Sequence, residues 1–220
     1  MAAASSGKRV AVVFPTHQLI DQALASWDLK RTLELHPVVV ESFRPRSFFS
    51  EQPDLYQEQR DRVIGADILF CTSVSVIIDQ RMRGGYNGST DRDVIIFDEA
   101  DQLPEFAALT SEVTVTRQEL SELKVKEKSV KTTIAKLLSK QNVPPETKAK
   151  ARLIKEALSL GDVWFIKAEF AQDGSLELHL RLPGRLLRRI SNRASTVFVS
   201  ATLSIGGTFN DFKRAMGIDE

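Results

Sequence analysis

Asp98 and Glu99 stand side by side directly after the apolar run Val94-Ile95-Ile96-Phe97, and Asp101 lies two residues on. Carboxylates packed this closely repel one another unless a cation shares them. A hard divalent ion such as Mg²⁺ takes one or two carboxylates and fills its other positions with water and phosphate oxygens. In that arrangement Asp98 holds the ion, and Glu99 orients or deprotonates a water that attacks a phosphoryl group. The plainer reading is a strand that ends in an acidic, solvated turn. Val, Ile and Phe in a row suit a strand buried on both faces, so 94–97 is expected as a central strand of a parallel sheet. Ligands of such sheets bind outside the carboxyl ends of the strands, where Asp98 and Glu99 fall. A second strand-like run, Thr196-Val197-Phe198-Val199, ends in Ser200-Ala201-Thr202, where small hydroxyl residues replace the carboxylates.

These two segments, in this order and each behind an apolar run, resemble the motor motifs of superfamily 2 helicases. Asp98-Glu99-Ala100-Asp101 is similar to the Asp-Glu-Ala-Asp form of the Walker B motif. Ser200-Ala201-Thr202 is similar to the motif that couples nucleotide state to domain movement. The stretch from Gly7 to Leu19, Gly-Lys-Arg-Val-Ala-Val-Val-Phe-Pro-Thr-His-Gln-Leu, resembles motif Ia. Ser200 to Phe209 resembles motif III and the segment after it in DinG-like helicases, the bacterial relatives of XPD. The resemblance covers the motor motifs at both ends well and the middle of the chain poorly. It implies a three-layer P-loop NTPase, or RecA-like, parallel sheet. It also implies ATP and Mg²⁺ as cofactors, single-stranded DNA as partner, and 5′-to-3′ movement coupled to ATP hydrolysis. The implied roles are Asp98 on Mg²⁺, Glu99 on the water, and Asp101 with Ser200, Ala201 and Thr202 as the coupling group. Thr16, His17 and Gln18 occupy the place where relatives touch the DNA backbone, and Thr72 and Ser73 the place of another DNA contact. Hydroxyl, imidazole and amide groups at a helix start suit phosphate contact, although Thr16 also reads as a simple N-cap.

The rest of the chain must supply the elements that position these residues. Two hundred and twenty residues allow one large domain or two small ones with a substantial core. Thirty basic residues against twenty-nine acidic give a formal charge of +1, so local clustering has to carry any argument for nucleic acid. The single Cys71 excludes an intrachain disulfide framework and a Cys-rich metal site. No apolar stretch is long enough to span a bilayer, and residues 1–6 lack the core of a signal peptide, so a cytoplasmic protein is expected.

Residues 9–14 are expected as a strand and 18–29 as one helix, with Leu19, Ile20, Ala23, Leu24 and Trp27 on its packed side. A short strand over 38–41 leads to a loop over 42–53 that carries Arg44, Arg46, Phe48 and Phe49. These four could clamp a single strand, but a surface loop anchored by its two phenylalanines is the preferred reading. DinG and XPD relatives hold an iron–sulfur cluster on four cysteines in this interval. The chain has none there, and no cluster is expected. Next come a polar helix over 54–64, a strand over 66–71 and a helix through 76–78, with Cys71 in the core. Residues 83–89 read as a flexible loop.

After Asp101 the chain is expected to leave the motor sheet for an arch-like helical insertion with a β-hairpin, residues 104–183, between motor segments 1–103 and 184–220. Residues 117–140 read as one long helix with a seam of Leu120, Leu123, Val130, Ile134 and Leu137 and the pairs Glu122–Lys126 and Glu127–Lys131. Pro144-Pro145 breaks the chain, and 146–160 is a second helix. Asp173-Gly174 marks a hairpin turn between 163–170 and 176–182. Five arginines lie within residues 181–193, of which Arg185, Arg188 and Arg189 sit on a helix, and backbone phosphates are their natural partner. Local acids are the equal alternative.

A Walker A loop, Gly-x-x-x-x-Gly-Lys-Ser/Thr, does not occur in these residues. The chain is therefore expected to be a fragment that needs the Walker A segment and a second motor domain from the remainder of a helicase, and to be inactive alone. The alternative from another class is a non-catalytic module that binds nucleic acid or docks a partner. A small self-contained hydrolase using Asp98 and Glu99 lacks a phosphate cradle.

Overall fold

The structure is a computed structural model that describes residues 2–81, 86–125, 129–159, 166–180, 183–204 and 207–218. In chain order the elements are α1 (Ala2–Ser5), β1 (Val10–Phe14), α2 (His17–Ala25), α3 (Trp27–Leu35), β2 (Val40–Ser42), α4 (Pro53–Gly65), β3 (Ile68–Thr72), α5 (Ser73–Arg81), β4 (Val94–Phe97) and α6 (Leu103–Ser111). They continue with β5 (Val113–Val115), α7 (Arg117–Glu122), α8 (Val130–Ser139), α9 (Pro145–Ser159), β6 (Ile166–Phe170), β7 (Leu176–Leu180), α10 (Pro183–Ser191), β8 (Ser195–Phe198) and α11 (Asn210–Met216). The chain divides into two units, 1–106 with 186–220, and 107–185.

The first unit is built on a five-stranded sheet in the order β2-β3-β1-β4-β8, with every pairing parallel. This is the α/β, RecA-like class that the motifs imply. Ala11, Val13, Leu69, Cys71 and Ile95 on one face are fully buried, as are Val76 and Ile77 of α5, which packs on β3 and β1. On the other face Val10, Ile68 and Phe70 pack with Ala4 and with Ile20 of α2. β4 departs from the expectation of burial on both faces. Ile95 and Phe97 are buried, but Val94 and Ile96 are half-buried, because α2 lies over β1 and β3. Cys71 is core, and its burial pushes the thiol pKa far up.

The single helix expected over 18–29 is two. Ser26 is extended at ψ 140 and its Oγ accepts from the Leu29 amide at 3.2 Å, so it ends α2 and caps α3. Trp27 therefore leaves the packed side: it is 65 % exposed, with the Arg31 guanidinium 4.9 Å from its ring.

Asp79 of α5 is fully buried and organises the segment before β4. One oxygen accepts from the amides of Tyr86, Asn87 and Gly88 at 2.8–3.1 Å. The other accepts from the Thr90 amide and hydroxyl and the Ser89 hydroxyl. Residues 86–89 are thus tied down, while the rest of the expected flexible loop, 83–85, lies outside the described residues. Beside it the buried Arg92 side chain donates to the carbonyls of Val63, Ala66 and Gly88. Buried charge is tolerable here because each carboxylate oxygen and each guanidinium nitrogen has a hydrogen-bond partner.

In the second unit β5, β7 and β6 form an antiparallel sheet in that order. Residues 117–140, expected as one helix, are two: α7 stops at Glu122, Lys124 is left-handed at φ 50, and α8 starts at Val130 behind its Ser129 cap. Residues 126–128 lie outside the described residues, and with them the two expected Glu–Lys pairs. The apolar seam nevertheless forms a core, in which Leu120, Ile134 and Leu137 meet Ala151 and Ile154 of α9 and Leu176 and Leu178 of β7. Thr116 and Glu119 form a capping box, and Glu119 also receives the Thr147 hydroxyl and the Lys150 ammonium. The hairpin turn falls where Asp173-Gly174 places it, with Gly174 at φ 84.

Burial pushes the Glu119 carboxyl up, but the Thr116 amide, the Thr147 hydroxyl and Lys150 outweigh it and hold the pKa down from 4.5 to about 2. The unfolded chain binds that proton near 4.5, so this stabilisation is complete above 4.5 and lost as pH falls toward 2. Glu119→Gln should lower stability at pH 7 by about 1–3 kcal/mol and flatten the loss on acidification below pH 4.5; parallel pH profiles for the two proteins would contradict this. Asp79→Asn, which points an amide N–H at backbone donors, should cost about 2–4 kcal/mol in urea unfolding.

Candidate functional site

The parallel register sets the site. Val13, Phe97 and Phe198 are paired across β1, β4 and β8, so all three strands end on one line. The ladder runs on past the strands: the Asp98 amide donates to Val13 O at 2.8 Å, Val199 to Phe97 O at 2.8 Å, and Ala100 to Val199 O at 3.0 Å. Phe97 and Phe198 stack at 5.8 Å, and Phe212 of α11 meets Phe198 edge-on at 5.3 Å. These contacts fix the β8 end against the β4 end.

Glu99 and Asp101 meet Ser200 and Thr202 on this line, and Asp98 directly follows β4. The Ser200 hydroxyl lies 2.8 Å from Asp101 Oδ1 and 3.2 Å from Glu99 Oε2, and its one hydrogen serves one carboxylate at a time. Its oxygen accepts from the Thr202 amide at 3.2 Å, and the Thr202 hydroxyl donates to Asp101 Oδ2 at 2.5 Å. The hydroxyls of Thr202 and then Ser200 hold the Asp101 pKa below the usual carboxylate range. Ala201, exposed and without a polar group, supplies the spacing that brings both hydroxyls to one carboxylate. Glu99 is left-handed at φ 48, an uncommon conformation for a residue with a Cβ. Asp98 is half-buried, and its carboxylate accepts no hydrogen bond among the described residues. A carboxylate with open lone pairs suits Mg²⁺, which is held largely through water and phosphate oxygens. No group of three or more His, Cys, Asp or Glu is placed to hold a metal among the described residues.

At the end of β1, Thr16 is the N-cap of α2: its Oγ1 accepts from the Leu19 amide at 3.4 Å. Thr16 and Gln18 are exposed or nearly so. His17 has its Nδ1 enclosed and unpartnered, and its pKa is lowered by burial and then by the nearby Arg44. Thr72 and Ser73 stand at the end of β3 as expected, but they are buried rather than open to DNA. They are 6 % and 1 % exposed, and the Thr72 hydroxyl is spent on the amide and hydroxyl of Ser75 at the start of α5. On α10, Arg185, Arg188 and Arg189 are spaced by three and four residues and share a face; Arg185 is exposed and the other two half-buried. Sequence reasoning missed Asp21, which pairs with Arg44, and Gln59, whose amide clasps both the Arg44 amide and carbonyl at 3.0 and 2.9 Å. No periodicity or motif joins residues so far apart in the chain.

A solved structure described as a truncated XPD matches 96 % of this chain and 85 % of its own, with a TM-score of 0.59 and 14 % identity. The chain has the fold of XPD helicase structures. A second one, described as an XPD helicase, matches 96 % of this chain at a TM-score of 0.58 and 14 % identity, and an apo XPD matches 99 % at 0.50 and 17 %. The chain spans 53 % and 54 % of those two, about half their length. No protein-family model and no curated protein matches the chain. Among the described residues of this XPD-like fold, no helix is long and apolar enough to cross a membrane.

Replacing Ser200 by Ala and Thr202 by Val together should return the Asp101 pKa upward toward the ordinary carboxylate range, read by carboxyl-carbon NMR titration. An unmoved titration would show that the two hydroxyls do not set the charge of Asp101.

Proposed function

We propose that this chain is part of the first motor domain of a DinG-like, ATP-dependent DNA helicase that moves 5′ to 3′ along single-stranded DNA in the cytoplasm. The observation that carries the reading is the set of hydrogen bonds from Ser200 and Thr202 to Asp101 and Glu99 across neighbouring strand ends. Asp98 would hold Mg²⁺, which neutralises charge on the phosphates of ATP when bound. Glu99 positions the attacking water and takes its proton. Any change at Glu99 competes for the one Ser200 hydrogen, and so alters the tie between β4 and β8. That is a physical route from hydrolysis to movement of the chain beyond β8.

Thr16, His17 and Gln18 are read as backbone contacts for the strand, and Arg185, Arg188 and Arg189 as a basic face for phosphates. Residues 104–183 are read as an arch-like insertion. The Walker A segment and the second motor domain belong to the remainder of the helicase. The outer edge of β8 supports this: β8 pairs with β4 alone among the described residues, and Val197 and Val199 beside that edge are 46 % and 48 % exposed. An open edge with apolar neighbours is where a further strand adds.

In the complete helicase, Glu99→Gln should reduce DNA-stimulated ATP turnover by about 10²–10⁴-fold and leave single-strand affinity unchanged. Undiminished ATPase would overturn the assignment.

A further inference from the structure

The loop after β2, Tyr56 of α4 and Tyr86 together form a line of aromatic rings. Tyr86 meets Phe43 edge-on at 5.0 Å, Phe43 meets Tyr56 at 6.2 Å, Tyr56 meets Phe49 at 6.0 Å, and Phe49 meets Phe48 at 5.3 Å. Phe43, between Tyr86 and Tyr56 in this line, is fully buried, whereas Phe48 at its end is 68 % exposed. Phe48 is not simply loose on the surface. It sits on a short 3-10 helix, Arg46–Phe49, and the Arg44 guanidinium lies 5.7 Å from its ring centroid. Arg44 is itself fixed, by Gln59 through its backbone and by Asp21 of α2 through its side chain, which is only 14 % exposed. An exposed aromatic ring held in one orientation by a buried stem and a clamped cation is organised for a flat ligand.

The surroundings say which flat ligand. Asp21 is one helical turn from His17, and both Arg44 and Asp21 act electrostatically on His17, so the Phe48 pedestal and the Thr16–Gln18 segment are joined by one ion pair at the same edge of the sheet. Arg46, two residues before Phe48, is exposed and has no ion-pair partner among the described residues. A ring platform with a free guanidinium beside it and phosphate-suited groups one ion pair away matches the base-plus-phosphate repeat of a single strand.

We propose that Phe48 is a stacking platform for an unpaired base of a single-stranded nucleic acid whose backbone runs over Arg46 and the Thr16–Gln18 segment. Arg44 is the positioning residue that orients the ring. The sequence alone favours the surface-loop reading of Arg44, Arg46, Phe48 and Phe49; the geometry points to the other. The inference rests on the single-strand reading of Thr16–Gln18 and adds to it a residue that touches the base rather than the backbone.

The test is fluorescence anisotropy of the protein with an oligo(dT) strand and with an abasic strand of the same length, at one fixed salt concentration. Phe48→Ala should weaken oligo(dT) binding by about ten- to a hundredfold and leave abasic-strand binding at the wild-type level, while Phe48→Trp keeps oligo(dT) affinity and shows emission quenched on binding. Phe48→Leu should behave like Phe48→Ala. Oligo(dT) affinity unchanged in Phe48→Ala, an equal loss for the abasic strand, or wild-type affinity in Phe48→Leu (an apolar contact of the kind a protein partner makes) would each overturn the platform while leaving the single-strand reading in place. Wild-type protein that binds neither strand would overturn both.

Discussion

The parallel register of β1, β4 and β8 is the constraint on which the rest depends. Because Val13, Phe97 and Phe198 are level, the residues just past each strand emerge at one edge. Asp101 and Ser200, 99 positions apart in the chain, come within hydrogen-bond distance without any loop having to search for the geometry. The Phe97–Phe198 stack and the backbone bonds that continue beyond the strands make this alignment rigid. A slip of one residue along β8 would turn Phe198 to the opposite face and carry Ser200 away from both carboxylates.

Holding that edge requires the buried charges of Asp79 and Arg92 to be satisfied. Asp79 gathers the backbone amides that precede β4, and Arg92 ties the same segment to the end of α4. Each would be expensive to bury alone, since a charge removed from water has to recover its solvation from neighbours. Together they fix where β4 begins, and so where Asp98 and Glu99 come out at its other end. Asp79 and Arg92 make these hydrogen bonds before β4 begins, yet they set the position of the site at its far end.

The strands and the polar residues that end them were legible in the sequence because apolar runs that stop at polar residues have a local cause. Breaks inside helical patterns were not. Ser26 and Lys124 interrupt stretches whose apolar spacing is continuous, since a hydroxyl cap and a left-handed backbone leave no mark in periodicity. β5 went unseen because three residues give too few alternations to register. Thr72 and Ser73 were placed at the correct strand end, but whether a hydroxyl there faces solvent or caps the next helix depends on how α5 packs. The ring line through Phe43, Tyr56 and Phe49 joins distant parts of the chain, and only the fold reveals that Phe48 stands at its end.

Glu99 illustrates how a backbone conformation narrows the choice of side chain. Its left-handed backbone is one that Asp and Asn adopt with less strain than longer residues do. Either would be shorter by a methylene, however, and the Glu99 carboxylate already stands 3.2 Å from Ser200, at the long end of hydrogen-bonding range. Backbone comfort and reach therefore pull in opposite directions at this position. Among acidic residues only glutamate has the length, and β-branched residues are disfavoured by the turn itself. The alphabet at position 99 is small for two independent reasons, one steric and one of span, before any chemistry is asked of it.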